Sequence, residues 1–435
     1  MKATVKKKQR LVRAAVVAGL VTALGAGQLA ANASPYTHPA VVTTAPVMTM
    51  PVLAVSTDAP KPVAYAVAEA GNQIVVGGRF QTVENGNRTV LYDRSNVVAF
   101  NATTGAVSTS FAPQVNGDVW GAWSDGTWVY IGGGFTTVNG VERPALAKLS
   151  LATGELDPTF QPTFTGARVS DIEMVNGQLI VSGTFQKRIV SLNPTTGKPT
   201  TYLDHVIGGR LPNSNSAQVF HFDVSPDGQH LIGVGNFLTV DGADRPRVFM
   251  LDLGATGTTL SSWNYEALAP KCTSNRANAQ AYVLDVEFSP DSSWFAFASF
   301  GFMWQTGYKG LMLCDSVSRF ETDNLNPSAP TWINYTGGDS LKSVAVTNQA
   351  VYVQGHSRWL DNPDGRDFAG PGAVERPGGG AVDPVTGKAL DWNPVMPQQA
   401  GGFDILATPT GVWFATDGIR FGGKYRRGIR FAPLP

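Results

Sequence analysis

Two groups of residues in this chain are of types that could do chemistry together. The first joins Gly337-Gly338-Asp339 to His356-Ser357-Arg358-Trp359. An acid, an imidazole, a guanidinium and an indole suit sugar recognition, the indole stacking on a pyranose while the polar groups fix its hydroxyls. The same residues could serve a glycan-active hydrolase or lyase, with Asp339 and either His356 or Asp315 as acid and base. A structural knot is the plainer reading, with His356 where other repeats carry Phe and Trp359 buried against the next sheet. The second group is Asp171, His221, Asp285 and Asp404, aligned with Tyr65 and Ser343 on repeated strands. Three carboxylates and a His on one ring could bind a cation or a polyol. They could equally seal a channel through hydrogen bonds and water. In the repeat between Tyr65 and Asp171, the aligned residue is either Trp120 or Gly121.

A third stretch, Asp361-Asn362-Pro363-Asp364-Gly365-Arg366-Asp367, puts three acids in a loop. It lacks the spacing and closing Glu of an EF-hand, so a polar turn accounts for it as well as calcium does. Calcium is the one cofactor these residues suggest, and none is required. Phosphate loops, HExxH, paired CxxC and Gly-x-Ser-x-Gly elbows are absent from the sequence, which holds only five histidines.

The elements that must position these residues are written in a repeat of about fifty residues. Its clearest copy is Ile131-Gly132-Gly133-Gly134-Phe135-Thr136-Thr137-Val138-Asn139-Gly140-Val141-Glu142-Arg143, followed by Thr153-Gly154. Seven apolar openings begin near Val63, Val119, Val169, Val219, Val283, Leu341 and Phe403, each meeting a turn such as Asn176-Gly177 and then a second strand. Third strands such as Val97–Phe100 close on Thr-Gly turns. Short fourth strands end in an aromatic and a Pro, as at Phe111-Ala112-Pro113. Four strands per period without helical patterning predict an all-β, seven-bladed β-propeller of antiparallel blades over 61–435. The last repeat has no fourth strand of its own, and Val52–Val55 could supply it. Within the repeat, Gly-Gly allows close backbone approach and Phe80, Phe135, Phe185 and Phe237 pack between sheets. Arg88, Arg143 and Arg245 are expected to tie the middle loop to carbonyls.

These phrases resemble the delta-60 repeat β-propellers of exported bacterial proteins, a class of unknown function. Cys314 to Glu321, Trp332 to Asp339, Gly355 to Leu360 and Asp391 to Pro394 resemble an actinobacterial exported subfamily. The resemblance implies an exported propeller and no reaction. The phrase fails at Ala298-Ser299-Phe300-Gly301 and at Gln354-Gly355-His356. Repeats that break their own rule are where a special role is worth seeking.

Residues 1–33 read as a secretory signal: a basic start, an apolar run from Ala14 to Leu24, and Ala31-Asn32-Ala33 for cleavage. This places the mature chain outside the cell, with 34–60 as a flexible Pro/Thr-rich tether. The full chain carries 33 basic and 33 acidic residues. Removing the leader with its six basic residues leaves 27 against 33, a net charge of −6, which argues against nucleic acid as a partner. The mature chain holds no segment fit to span a membrane. In an exported chain the two cysteines, Cys272 and Cys314, are expected to pair. The expectation is a monomeric binding module for carbohydrate, cell wall or a surface partner. The alternatives are a glycan-active enzyme or a surface protein without a small-molecule site.

Overall fold

The computed structural model describes residues 36–56, 59–212, 214–268, 272, 281–301, 309–397 and 401–435; the leader expected over 1–33 lies outside them. The described chain is all-β, its strands paired antiparallel apart from a single parallel bridge at Ser95↔Gln114, with one 3₁₀ turn at Glu266–Leu268. Seven sheets share one plan, an inner strand followed outward by the second and third strands in chain order. The inner strands are Val63–Ala70, Val119–Ser124, Val169–Val175, Val219–Val224, Tyr282–Phe288, Leu341–Val346 and Gly402–Thr408, which number the sheets first to seventh. Each inner strand lies against the next, and the seventh lies against the first.

The hydrophobic core sits between sheets. Phe111, Val119, Ile131 and Phe135 bury against Val75 and Ala99 between the first and second sheets. Trp263, Phe295, Phe297 and Phe320 do so between the fourth and fifth, and Trp413 and Phe431 pack on Phe100 and Ile74 between the seventh and first. The repeated Gly pair is required by this packing. A Cβ on Gly133 would lie 2.0 Å from the Asp118 carbonyl oxygen, and one on Gly132 would lie 2.5 Å from Val169 of the next sheet. Asn176 and Gly177 have φ of 48° and 74°, the left-handed pair that a two-residue hairpin turn needs.

Fourth strands are fuller in expectation than in fact. Among the described residues, only the fourth and fifth sheets have four strands. In four others the outer position shrinks to a single bridge, such as Phe100↔Val107 or Leu149↔Leu156. There the Thr-Gly turn gives two ladder bonds, Asn101 N–H to Ala106 O and Ser108 N–H to Ala99 O, both 2.9 Å. The chain then leaves toward a Pro, which has no N–H to continue a ladder.

The segment read as a flexible tether is packed. Val42, Met50, Val52 and Leu53 are buried. Thr43 and Val47 N–H groups donate to Pro433 and Phe431 carbonyls on the outer edge of the seventh sheet, at 2.8 and 3.0 Å. That edge is covered by residues 43–47. Of Val52–Val55, expected there, Val52–Leu53 pairs instead with Val83–Glu84, in a small separate sheet formed by the loop between the second and third strands of the first sheet. Unpaired ladder groups at the bare edge and apolar side chains every few residues outweigh the Pro-rich composition.

Of the three Arg expected to tie the middle loop to carbonyls, Arg245 does so, Arg143 has its buried Nε without a partner, and Arg94 stands in for Arg88. Arg94, Arg245 and Arg376 donate across to the carbonyls of Ser108, Ser261 and Leu390. In the seventh sheet Arg426, fully buried, donates to the carbonyls of Met48 (2.8 Å), Met50 and Pro51 (3.2 Å) of the N-terminal segment. Arg88 does not take part. A longer middle loop leaves it exposed, its guanidinium 4.7 Å from the Tyr425 ring centre.

Candidate functional site

All seven inner strands carry a bulge at the same place, where one residue has no partner on the second strand. The extra residues are Tyr65, Trp120, Ser170, Phe220, Leu284, Lys342 and Phe403. One step further in lie Ala66, Gly121, Asp171, His221, Asp285, Ser343 and Asp404. Tyr65 therefore does not belong to the ring with Asp171, and of Trp120 and Gly121 it is Gly121 that does. A bulge shifts alternation by one residue, which periodicity in the first sheet conceals.

The structure brings Asp171, His221, Asp285 and Asp404 to one cavity of about 70 Å³ inside the ring of inner strands. Their carboxylates are latches between sheets. Asp404 accepts the Val67 N–H (2.7 Å), Asp171 that of Phe222 (2.9 Å) and Asp285 that of Val344 (2.9 Å), each on the following sheet. Asp171 and Asp285 also accept the N–H of the residue after themselves, at 2.8 and 2.9 Å. Burial, together with the other acids, drives Asp285 up to about 6 and Asp404 up to about 7, against these bonds. Burial disfavours the His221 imidazolium, but the Asp171 contact (3.5 Å) and the fields of Asp285 and Asp404 prevail, and its pKa rises to about 9.

A second tier lies two residues deeper on the same strands: Glu173, Asp223 and Glu287, all buried and lining the same cavity. Residues two apart on a strand share a face, so once Asp171, His221 and Asp285 point inward these must too. Reading along each strand for that face would have found them. Burial first, then neighbouring carboxylates, pushes all three well above the ordinary range. Asp223 accepts the Phe288 N–H at 2.6 Å, while Glu173 Oε2 and Glu287 Oε1 have no partner.

Above the tiers the channel widens into a depression of about 390 Å³. Trp120 and His221 border both spaces, so the depression is the entrance to the channel. The bulge residues supply its wall: Trp120, Phe220, Lys342 and Phe403, with Arg168 and Phe300. Trp120 stacks on Tyr65 at 3.9 Å and the Arg168 guanidinium sits 4.6 Å from its centre. Sequence reading missed this entrance because a bulge residue, off the strand's alternation, carries no periodic signal.

The Asp339, His356, Arg358 and Trp359 group is close in space but internally engaged. Asp339, 4% exposed, accepts the Arg358 backbone N–H (2.9 Å), Nε (2.9 Å) and Nη2 (2.7 Å). Arg358 lies 4.5 Å from the Trp359 ring centre and also reaches Asp367 at 3.2 Å. His356 is exposed, and its N–H holds the Ser340 carbonyl at 2.8 Å. The loop acids diverge: Asp361 meets Asn334 at 2.6 Å, Asp364 meets Lys309 at 2.7 Å, and Asp367 meets Arg358. Among the described residues no three of His, Cys, Asp and Glu stand ready to ligate a metal. Asp315 is buried beside this group, its Oδ1 accepting the Gly301 N–H at 2.9 Å and its Oδ2 unpartnered.

The breaks in the repeat also have structural partners. Ser299 donates to the Ser316 carbonyl at 3.0 Å. Gln354 bonds the Asp404 and Ala415 carbonyls of the next sheet at 2.8 and 3.1 Å, in space that only a glycine at Gly402 leaves open. Cys272 and Cys314 are disulfide-bonded and buried.

The comparison with curated proteins found no match. A computationally designed protein, Ika8, covers 88% of this chain and 100% of its own at 11% identity with a TM-score of 0.43, too slight a likeness to support any inference. Residues 124–160 match the model of a domain of unknown function (DUF5122) beta-propeller. That stretch contains the clearest copy of the repeat, and the match supports a β-propeller domain of unknown function.

Proposed function

We propose that the chain is a seven-bladed β-propeller of the delta-60 repeat kind, exported by an actinobacterium, that acts as a monomeric binding module for carbohydrate, cell wall or a surface partner. The observation that carries the reading is the entrance described above. A depression of about 390 Å³ with an aromatic wall and two cationic side chains is of the size and chemistry that holds a sugar ring. The buried disulfide fits an oxidising compartment. On the same side, the Asp339–Arg358 pair is spent on itself, so His356 and the exposed part of Trp359 are the members of that group left to touch a ligand.

A glycan-active hydrolase or lyase is the second reading, favoured by one observation, the raised carboxyls Asp285 and Asp404. Their oxygens serve sheet latching in a cavity of about 70 Å³, which is too small for a pyranose. Binding is therefore the better supported.

Screening the purified protein on a glycan array and on isolated cell wall tests this. Wild type should be retained and Phe220→Ala should not. No retention of wild type on any surface would leave the third reading, a surface protein without a site. Product release from a polysaccharide panel, abolished by Asp285→Asn, would favour the enzyme.

A further inference from the structure

The entrance leads to a space whose chemistry is different. Six carboxyl groups and one imidazole face about 70 Å³, room for a few waters. They are not spread evenly. Five of the six acids come from the third, fourth and fifth sheets, while the first and second sheets present Ala66, Val67, Trp120, Gly121 and Ala122. The wall is acidic on one side and uncharged, with three small residues, on the other.

The outer tier's oxygens are mostly taken by backbone N–H groups, either of the following sheet or of the next residue on the same strand. The inner tier differs. Glu173 is 4% exposed and Glu287 8%, both line the cavity, and Glu173 Oε2 and Glu287 Oε1 have no partner. Buried carboxylate oxygens without donors are expensive unless something positive or hydrogen-bonding in the cavity meets them. His221 supplies one positive charge, but on the outer tier beside Asp171.

We propose that Glu173, Asp223 and Glu287 hold a hydrated divalent cation of the oxygen-preferring class, calcium, magnesium or manganese, against the acidic wall of the channel. Oxygen-only, flexible, multiply charged surroundings suit these ions, and an ion that keeps several waters needs no preformed inner shell. That fits the lack of ready-made direct ligation among the described residues. The small residues opposite leave room for the waters. This site is separate from any ligand at the entrance, and it can be occupied when the entrance is empty.

Terbium(III), a luminescent stand-in for calcium, tests the proposal on the whole protein, because Trp120 borders the cavity and can sensitise it. Tryptophan-excited terbium emission should saturate, be competed by calcium, magnesium or manganese, and accompany a rise in Tm over that in chelator. Glu173→Gln keeps side-chain volume and should weaken terbium binding about ten-fold or more. The Glu173→Gln/Glu287→Gln pair should abolish both signals while melting no lower than wild type in chelator. Absent emission with an unchanged Tm overturns the proposal, leaving protons as the occupants. Emission that survives the double substitution but is lost with Asp364→Asn would place the ion in the 361–367 loop and overturn it too. If the double variant does not fold, Glu173→Gln alone decides, since undiminished affinity contradicts the assignment.

Discussion

Asp315→Asn should stabilise this protein at neutral pH, and the gain should vanish in acid. Asp315 is 1% exposed. Burial, and after it the charges of Asp339 and Asp367, pushes its carboxyl from 3.8 up to about 8, against the Gly301 N–H bond. At pH 7 the folded chain therefore holds a proton that the unfolded chain has released. A carboxyl whose folded pKa is raised contributes its full stability below pH 3.8, and that contribution is lost as pH rises toward 8. Roughly three pH units at about 1.4 kcal/mol each make the loss about 4 kcal/mol at pH 7. Asn keeps Oδ1 as acceptor for Gly301, tolerates the left-handed φ of 47°, and carries no charge. It places an N–H at the unpartnered Oδ2 position, at a cost of about 1–2 kcal/mol. The net expectation is a gain of about 2–3 kcal/mol at pH 7. Urea denaturation of both proteins from pH 4 to pH 9 measures it. The difference should be near zero or slightly unfavourable at pH 4, grow with pH and level off above pH 8. A difference that does not change with pH, or a variant more than about 1 kcal/mol less stable at pH 7, would refute the reasoning.

The remaining expectations concern packing. Arg426→Ala should lower stability by about 3–5 kcal/mol, because three buried carbonyls lose a charged donor, and limited proteolysis should then cut within 36–56 first. Gly133→Ala drives a Cβ to 2.0 Å from the Asp118 carbonyl and should cost more than about 2 kcal/mol. Gly134→Ala next to it meets nothing within 4 Å and should be neutral to within about 0.5 kcal/mol, which thermal melting of the two variants distinguishes.

Local chemistry made much of the fold readable. Asn176-Gly177 states a hairpin because few other pairs accept two left-handed residues, and Gly132-Gly133 marks a contact that no side chain fits. Thr-Gly turns likewise mark where third strands end. What escaped reading depends on contacts far apart in sequence. Nothing in Thr43 to Val47 says that they will lie on Phe431 and Pro433, because the signal is the bare edge of a strand nearly four hundred residues away. Arg94 could not be told from Arg88 without the loop's path. At the site, Asp171, His221, Asp285 and Asp404 were legible because identical strand positions converge in a repeat fold. Glu173, Asp223 and Glu287, two residues further along three of the same strands, were equally derivable from alternation. Phe220 and Lys342 were hidden by the bulge that aims them at the entrance.

Whether the channel entrance binds a ligand is the matter on which the functional account rests. Cell-wall retention, measured in parallel for wild type, Phe220→Ala and Trp359→Ala, addresses it most directly. The account predicts strong retention of wild type, loss of about ten-fold or more in Phe220→Ala, and a smaller change in Trp359→Ala, whose ring already lies under Arg358. Retention that survives Phe220→Ala and disappears with Trp359→Ala would move the site away from the entrance and contradict the account.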